Sequence, residues 1–138
     1  MNQAFFDTWT PRALALLRIV TGYLYTQHGT AKLFGIPHVP MFDNLQYFSI
    51  FGLAGLLELV GGALLIIGLF TRLTGFILSG EMAIAYFSVH ALQGHLLTPM
   101  LNQGELAIMF CFVFLLFAAA GPGAWSVDTA VRRNGTRL

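Results

Sequence analysis

Arg18, Glu58 and Glu81 lie inside long apolar runs, and Glu105 opens another. No feature constrains the fold more. Only 9% of the chain is charged and 57% is hydrophobic, whereas soluble domains carry close to a quarter of charged residues. The apolar runs therefore read as lipid-facing. An ionised side chain turned into lipid costs several kcal/mol unless it is paired or solvated. The helices must turn these four residues inward, and function is expected where they gather.

At 138 residues the chain is read as one domain, residues 1–138. Four apolar spans are predicted, at about 12–34, 49–70, 73–92 and 105–120, each near or below the ~20 residues that cross a bilayer core as a helix. The run Gly35-Ile36-Pro37-His38-Val39-Pro40 ends the first span, because proline cannot continue a helix. Phe70-Thr71-Arg72 is a very short link, so the second and third spans form an antiparallel hairpin. Gly121-Pro122-Gly123 stops the fourth span, and a polar tail, 124–138, follows. Met41 to Phe48 is expected to be a short interfacial helix. The fold class is all-α, a polytopic four-helix transmembrane bundle.

Charge outside the spans sets the orientation. Arg12, Arg72, Arg132, Arg133 and Arg137 collect on one side of a four-span topology, against Lys32 on the other. The positive-inside rule then gives N-in and C-in. No basic stripe marks a nucleic-acid partner. The single cysteine, Cys111, excludes an internal disulfide and reads as a packing residue among Phe110, Phe112 and Phe114. The first run lacks a basic n-region and a small-residue cleavage site, so it is not read as a signal peptide.

Helical spacing distributes the polar residues. Arg18, Gly22, Tyr25, Gly29 and Lys32 share one face of the first span, with Thr21 and His28 on its flanks. That stripe must face protein or water. Glu58 is bordered by Gly55, Gly61 and Gly62, where small residues allow a neighbouring helix to approach. Counted from the inner ends at ~1.5 Å per residue, Arg18 and Glu81 lie roughly 10 Å deep and Glu58 roughly 18 Å. Two layers are expected: an inner one of Arg18, Glu58, Glu81 and Tyr25, and an outer one of His28, Lys32 and Glu105.

Two readings of the inner layer stay open. One is an ion-pair network that fixes helix order. The other is a proton or ligand site, in which two acids against one base leave a carboxylate over. In the outer layer His28, Glu105 and His90 are metal-ligand types. No helix carries an H-x-x-x-H pair, however, and no metal site is expected. No nucleotide or phosphate fingerprint and no Ser-His-Asp setting is present. Tyr23, Tyr25, Tyr47 and Tyr86 serve as interface anchors or as a lining for an aromatic ligand.

The chain resembles the DoxX family of small membrane proteins. The resemblance rests on Leu17-Arg18-Ile19 with Gly22, on Gln27-His28-Gly29, and on Lys32-Leu33-Phe34-Gly35. It continues in Leu57-Glu58-Leu59-Val60-Gly61-Gly62, Gly68-Leu69-Phe70-Thr71-Arg72, Asn102-Gln103-Gly104-Glu105-Leu106, Gly121-Pro122-Gly123 and Ser126-Val127-Asp128. It implies a bacterial inner-membrane protein of four helices and a role for Arg18, His28, Glu58 and Glu105. It further implies an association with redox work, since the wider family includes membrane subunits linked to thiosulfate:quinone oxidoreduction.

Three functions follow as expectations. The first is a membrane subunit of an oxidoreductase system, with a quinone or quinol between the first three spans. There Glu58 or Glu81 exchanges the proton and Arg18 holds the other acid charged. The second is a non-enzymatic scaffold that recruits a soluble or membrane redox partner. The third is a small-solute carrier. The chain carries no cofactor motif of its own, quinone being the one cofactor expected, and a homo-oligomer is expected because four short helices enclose little room.

Overall fold

The computed structural model describes residues 2–135. Arg137, counted above for orientation, lies outside them. Among the described residues the regular elements are all helical, with five α-helices.

Helix α1 spans Gln3–Phe34. The Asn2 side chain accepts from the Phe5 amide at 3.1 Å and caps its start. It begins well before the expected Arg12: the helix runs through Pro11, although a proline there costs one backbone hydrogen bond and crowds the preceding turn. Gly35, at φ +65°, ends it in the left-handed conformation that glycine adopts without strain. At 32 residues α1 is roughly 48 Å long, well beyond the ~30 Å hydrocarbon core. Phe5, Phe6 and Trp9 are exposed on the overhang, with the Arg12 guanidinium 5.1 Å from the Trp9 ring centroid. This is the amphipathic chemistry of a membrane interface.

Helix α2 spans Ile50–Ile67 and is capped by the Ser49 hydroxyl. Helix α3, Thr71–Ala85, continues through a π-helical turn at Tyr86–His90 and a 3-10 turn at Ala91–Gln93. Helix α4 spans Glu105–Ala120. The tail contains a fifth helix, α5 at Val127–Gly135, beyond the four expected. Met41 to Phe48 holds only a 3-10 turn at Pro40–Phe42, and Met41, Tyr47 and Phe48 are exposed. Its Asp43-Asn44 step favours turns over a continuing helix.

Two stretches, Ile50–Ile67 and Thr71–Gln93, are long and apolar enough to cross a membrane. Only 33% and 28% of their apolar windows are buried. A core helix of a soluble protein would hide most of its apolar surface; these expose Leu53, Leu56, Val60, Leu73, Phe76 and Ile84.

Helices pack in two close pairs, α1 with α2 and α3 with α4, and α2 meets α3 along a thinner seam. Glycine makes the first pair possible. A β-carbon at Gly29 would stand 2.8 Å from the Gly55 carbonyl oxygen, and one at Gly22 the same distance from that of Gly62. In lipid such backbone approach replaces the hydrophobic drive between helices. Tyr25, Leu65, Leu78, Phe110, Phe114 and Phe117 fill the centre between the pairs.

Charged side chains cap helix ends in trans at the end holding the α2–α3 turn. Asp128 of α5 accepts from the Phe70 and Thr71 amides, each at 2.9 Å, at the start of α3. Burial pushes its carboxyl up, but these hydrogen bonds and the charge of Arg132 outweigh it and hold the pKa below the ordinary value. Arg72 of α3 donates to the Ala118 and Ala120 carbonyls at 3.0 and 3.3 Å, closing the end of α4.

Candidate functional site

Lys32 of α1 and Glu58 of α2 form an ion pair across the glycine seam. Their side chains are 12% and 4% exposed. Gly29, one turn before Lys32, lets α2 come close enough for the pair to close. On the next seam, the Tyr25 hydroxyl of α1 donates to Oε2 of Glu81 on α3 at 3.0 Å. Tyr25 is held by the Phe110 and Phe114 rings of α4, with centroids 5.2 and 4.7 Å away. Glu81 interacts electrostatically with both Glu58 and Lys32, so the four side chains are one cluster drawn from three helices.

Its composition is unbalanced. Two carboxylates face one ammonium and one phenol. Glu58 Oε2 and Glu81 Oε1 are buried with no hydrogen-bond partner among the described residues. Buried acceptors without donors are rare, and an orphaned pair is a place for an added donor. One proton on the two acids gives the cluster a neutral total and supplies that donor. His28 stands at the rim, exposed, with its ring centroid 6.3 Å from Tyr25 and 6.1 Å from Phe110.

Arg18 corrects the expected inner layer. It is fully buried and meets neither acid. Its guanidinium donates to the Leu65 and Ile66 carbonyls at the end of α2 and to those of Pro122, Ala124 and Trp125 after α4. Five N–H donors meet five carbonyls. The outer layer is also redrawn, because Lys32 belongs with Glu58. Glu105 is exposed in the first turn of α4, where an acid favours the helix dipole.

The physical reason lies in side-chain direction. Cα–Cβ bonds tilt toward the helix N-terminus, so long side chains reach back over the preceding turn. On α1, Arg18 and Lys32 therefore each act one layer closer to the α2–α3 turn than their Cα positions imply. That shift brings Lys32 down to Glu58 and carries Arg18 past the acids to the helix ends.

One residue escaped the candidate sites. Asn102 is 1% exposed and organises the loop before α4. Its Oδ1 accepts from the Gly104 amide at 2.9 Å, and its Nδ2 donates to the Tyr86 hydroxyl and the His95 carbonyl, both at 3.3 Å. His90 Nδ1 lies 3.1 Å from the Asn102 carbonyl, which draws His90 into this loop. Asn102 lies in the Asn-Gln-Gly-Glu stretch of the resemblance, the one signal that pointed to it. Among the described residues, no three His, Cys, Asp or Glu side chains gather as a metal centre requires.

Two clefts open at the loop end, opposite the α2–α3 turn. One, of about 310 Å³, lies among Met41, Leu45, Gln46 and Phe51. The other, of about 250 Å³, is lined by Lys32, Leu33, Val39, Phe42, Asp43 and Tyr47. Neither is lined by Glu58, Glu81 or Tyr25, so these two clefts give no ring-sized ligand a seat on the acids.

The DoxX family profile matches residues 13–91, which hold Arg18, Tyr25, Lys32, Glu58 and Glu81. An uncharacterized protein of Haemophilus influenzae is 44% identical over 124 residues, covering 88% of this chain and 92% of its own. A Bacillus subtilis protein named "Putative oxidoreductase CatD" is 27% identical over 87% of this chain and 90% of its own. An uncharacterized membrane protein of Mycobacterium tuberculosis is 26% identical over 91% of this chain and 85% of its own. No solved structure matches the chain significantly. The profile match over most of three helices, the 44% relative and the outward apolar faces agree: this chain is a membrane protein of the DoxX family.

Proposed function

We propose that the protein is a multi-pass subunit of a redox system in the bacterial inner membrane, and that its Lys32–Glu58–Glu81–Tyr25 cluster takes up and releases one proton. Helices α1 to α4 are the four spans of this reading, with both termini on the cytoplasmic side. One observation carries it: Glu58 is paired with the lysine and Glu81 only with the Tyr25 phenol, and one oxygen of each acid is buried without a partner. The redox assignment draws on the relative named as an oxidoreductase.

Proton exchange at such a cluster needs no ring-sized cavity. The quinone implied by the resemblance is assigned to the redox partner, because Glu58 sits in the closely packed α1–α2 seam. Glu58 or Glu81 carries the exchanged proton. Lys32 keeps the remaining carboxylate paired, the role first expected of Arg18, and Tyr25 orients Glu81. The subunit works as a homo-oligomer that docks a soluble or membrane redox protein.

Infrared titration in proteoliposomes tests the reading. A protonated-carboxyl band should titrate in the natural protein and vanish in Glu58→Gln or Glu81→Gln. Turnover of the assembled system should fall with it. Folded variants with unchanged turnover count against the proposal.

A second reading has its own support. Arg18 and Asp128 fasten the tail to the ends of α2 and α3, which gives the turn end a built surface bearing exposed Trp125 and Val131. A scaffold that recruits its partner there keeps that partner in Glu58→Gln and loses it when 129–138 is deleted.

A further inference from the structure

The cluster meets the two ends of the bundle unequally. Toward the α2–α3 turn stands a plug of Leu65, Leu78, Phe114 and Phe117, none more than 1% exposed. Behind it the Arg18 guanidinium is fully buried, its donors spent on backbone carbonyls. A proton crossing that layer meets apolar side chains and a fixed positive charge, and both oppose it.

The loop end differs. Lys32, which pairs with Glu58, also lines the 250 Å³ cleft there. Its Nζ stands 5.6 Å from the ring centroid of Phe42, another cleft residue. The cleft edge carries Asp43, whose Oδ1 lies 2.8 Å from His38 Nε2. The C-terminal end of α1, at Phe34 and Gly35, also borders it, and a helix C-terminus carries partial negative charge. The cleft thus joins an acid and a negative helix end to the lysine that holds the buried acid.

Resting on the function proposed above, we infer that the cluster exchanges its proton with the loop end alone, through the cleft over Lys32. The ligand is a proton delivered by water. The cleft stops at Lys32, so a hydronium ion passes that residue before it reaches the acids. There its O–H bond breaks, the electron pair stays on the water, and a new O–H bond forms on a Glu58 or Glu81 oxygen. The titratable and charged groups facing the acids are Tyr25 and Lys32 on α1 and each acid itself, with His28 at the rim beside Tyr25, Asp43 on the cleft wall and His38 paired to it. Lys32 is the positioning residue at the threshold, since its ammonium must yield Glu58 for the proton to arrive.

Protein reconstituted in one orientation in sealed vesicles tests the direction. The carboxyl band assigned through Glu58→Gln and Glu81→Gln is followed while the pH of one compartment is changed at a time. The band should answer to the loop-end compartment. Val39→Trp and Tyr47→Trp, which narrow the cleft from wall residues outside the cluster, should each slow that answer several-fold. A band that answers to the turn-end compartment overturns the inference and leaves the proposed function standing, as does an unchanged rate in both folded cleft variants. A band that answers to neither compartment overturns both.

Discussion

Lys32 on α1 and Glu58 on α2 are ion-paired across a seam where the two backbones nearly touch. A buried pair of this kind resists the loss of one partner more than the loss of both, because a lone charge is left without compensation. Lys32→Met should destabilise the folded protein by about 3–5 kcal/mol, and Lys32→Met with Glu58→Leu should recover much of that. Thermal unfolding in detergent measures both. A double variant no more stable than Lys32→Met would remove the pair from the account.

The seam itself predicts a contrast between glycines. Gly29→Leu should prevent α1 from packing on α2, since even a β-carbon there would stand 2.5 Å from the Leu59 amide nitrogen. Gly80 of α3 has nothing within 4 Å of the same position. Gly80→Ala should be neutral or stabilising, by at most about 1 kcal/mol from helix propensity. Folded yield and melting temperature of the two variants decide this.

Arg18→Lys separates the two roles considered for this residue. An ion-paired arginine tolerates lysine in part, whereas three ammonium donors on one centre cannot span five carbonyls. The variant should loosen α5 and the Pro122–Trp125 segment, which limited proteolysis would detect as faster cleavage after α4. Cleavage at the natural rate would return Arg18 to a less specific role.

Asp128 predicts how the docking of α5 depends on pH. Its folded pKa lies below the ordinary 3.8, so its contribution is fully present above that value. It is lost as pH falls through the depressed folded value. Acidification below about 4 should therefore release α5, and Asp128→Asn should weaken docking at neutral pH and flatten this acid limb. Hydrogen exchange at the Phe70 and Thr71 amides, which Asp128 accepts from, follows the release directly.

The helical, membrane character of this chain was legible in its residues. Apolar runs, prolines after Gly35 and glycines around Glu58 dictate helices, their breaks and a close seam, because backbone satisfaction and close approach are local requirements. The inward turn of Arg18, Glu58 and Glu81 was legible too, as was the excess of acids over bases, whereas Glu105 stays exposed at the start of α4. Which base meets which acid was not. Arg18 and Lys32 lie on one stripe of α1, and spacing alone assigns either to Glu58. The tertiary structure decided it, since side chains leaning toward the helix N-terminus bring Arg18 to the ends of α2 and α4 and Lys32 to the acid. The same holds for Asp128 and Asn102, whose partners are backbone groups that only folding brings within reach.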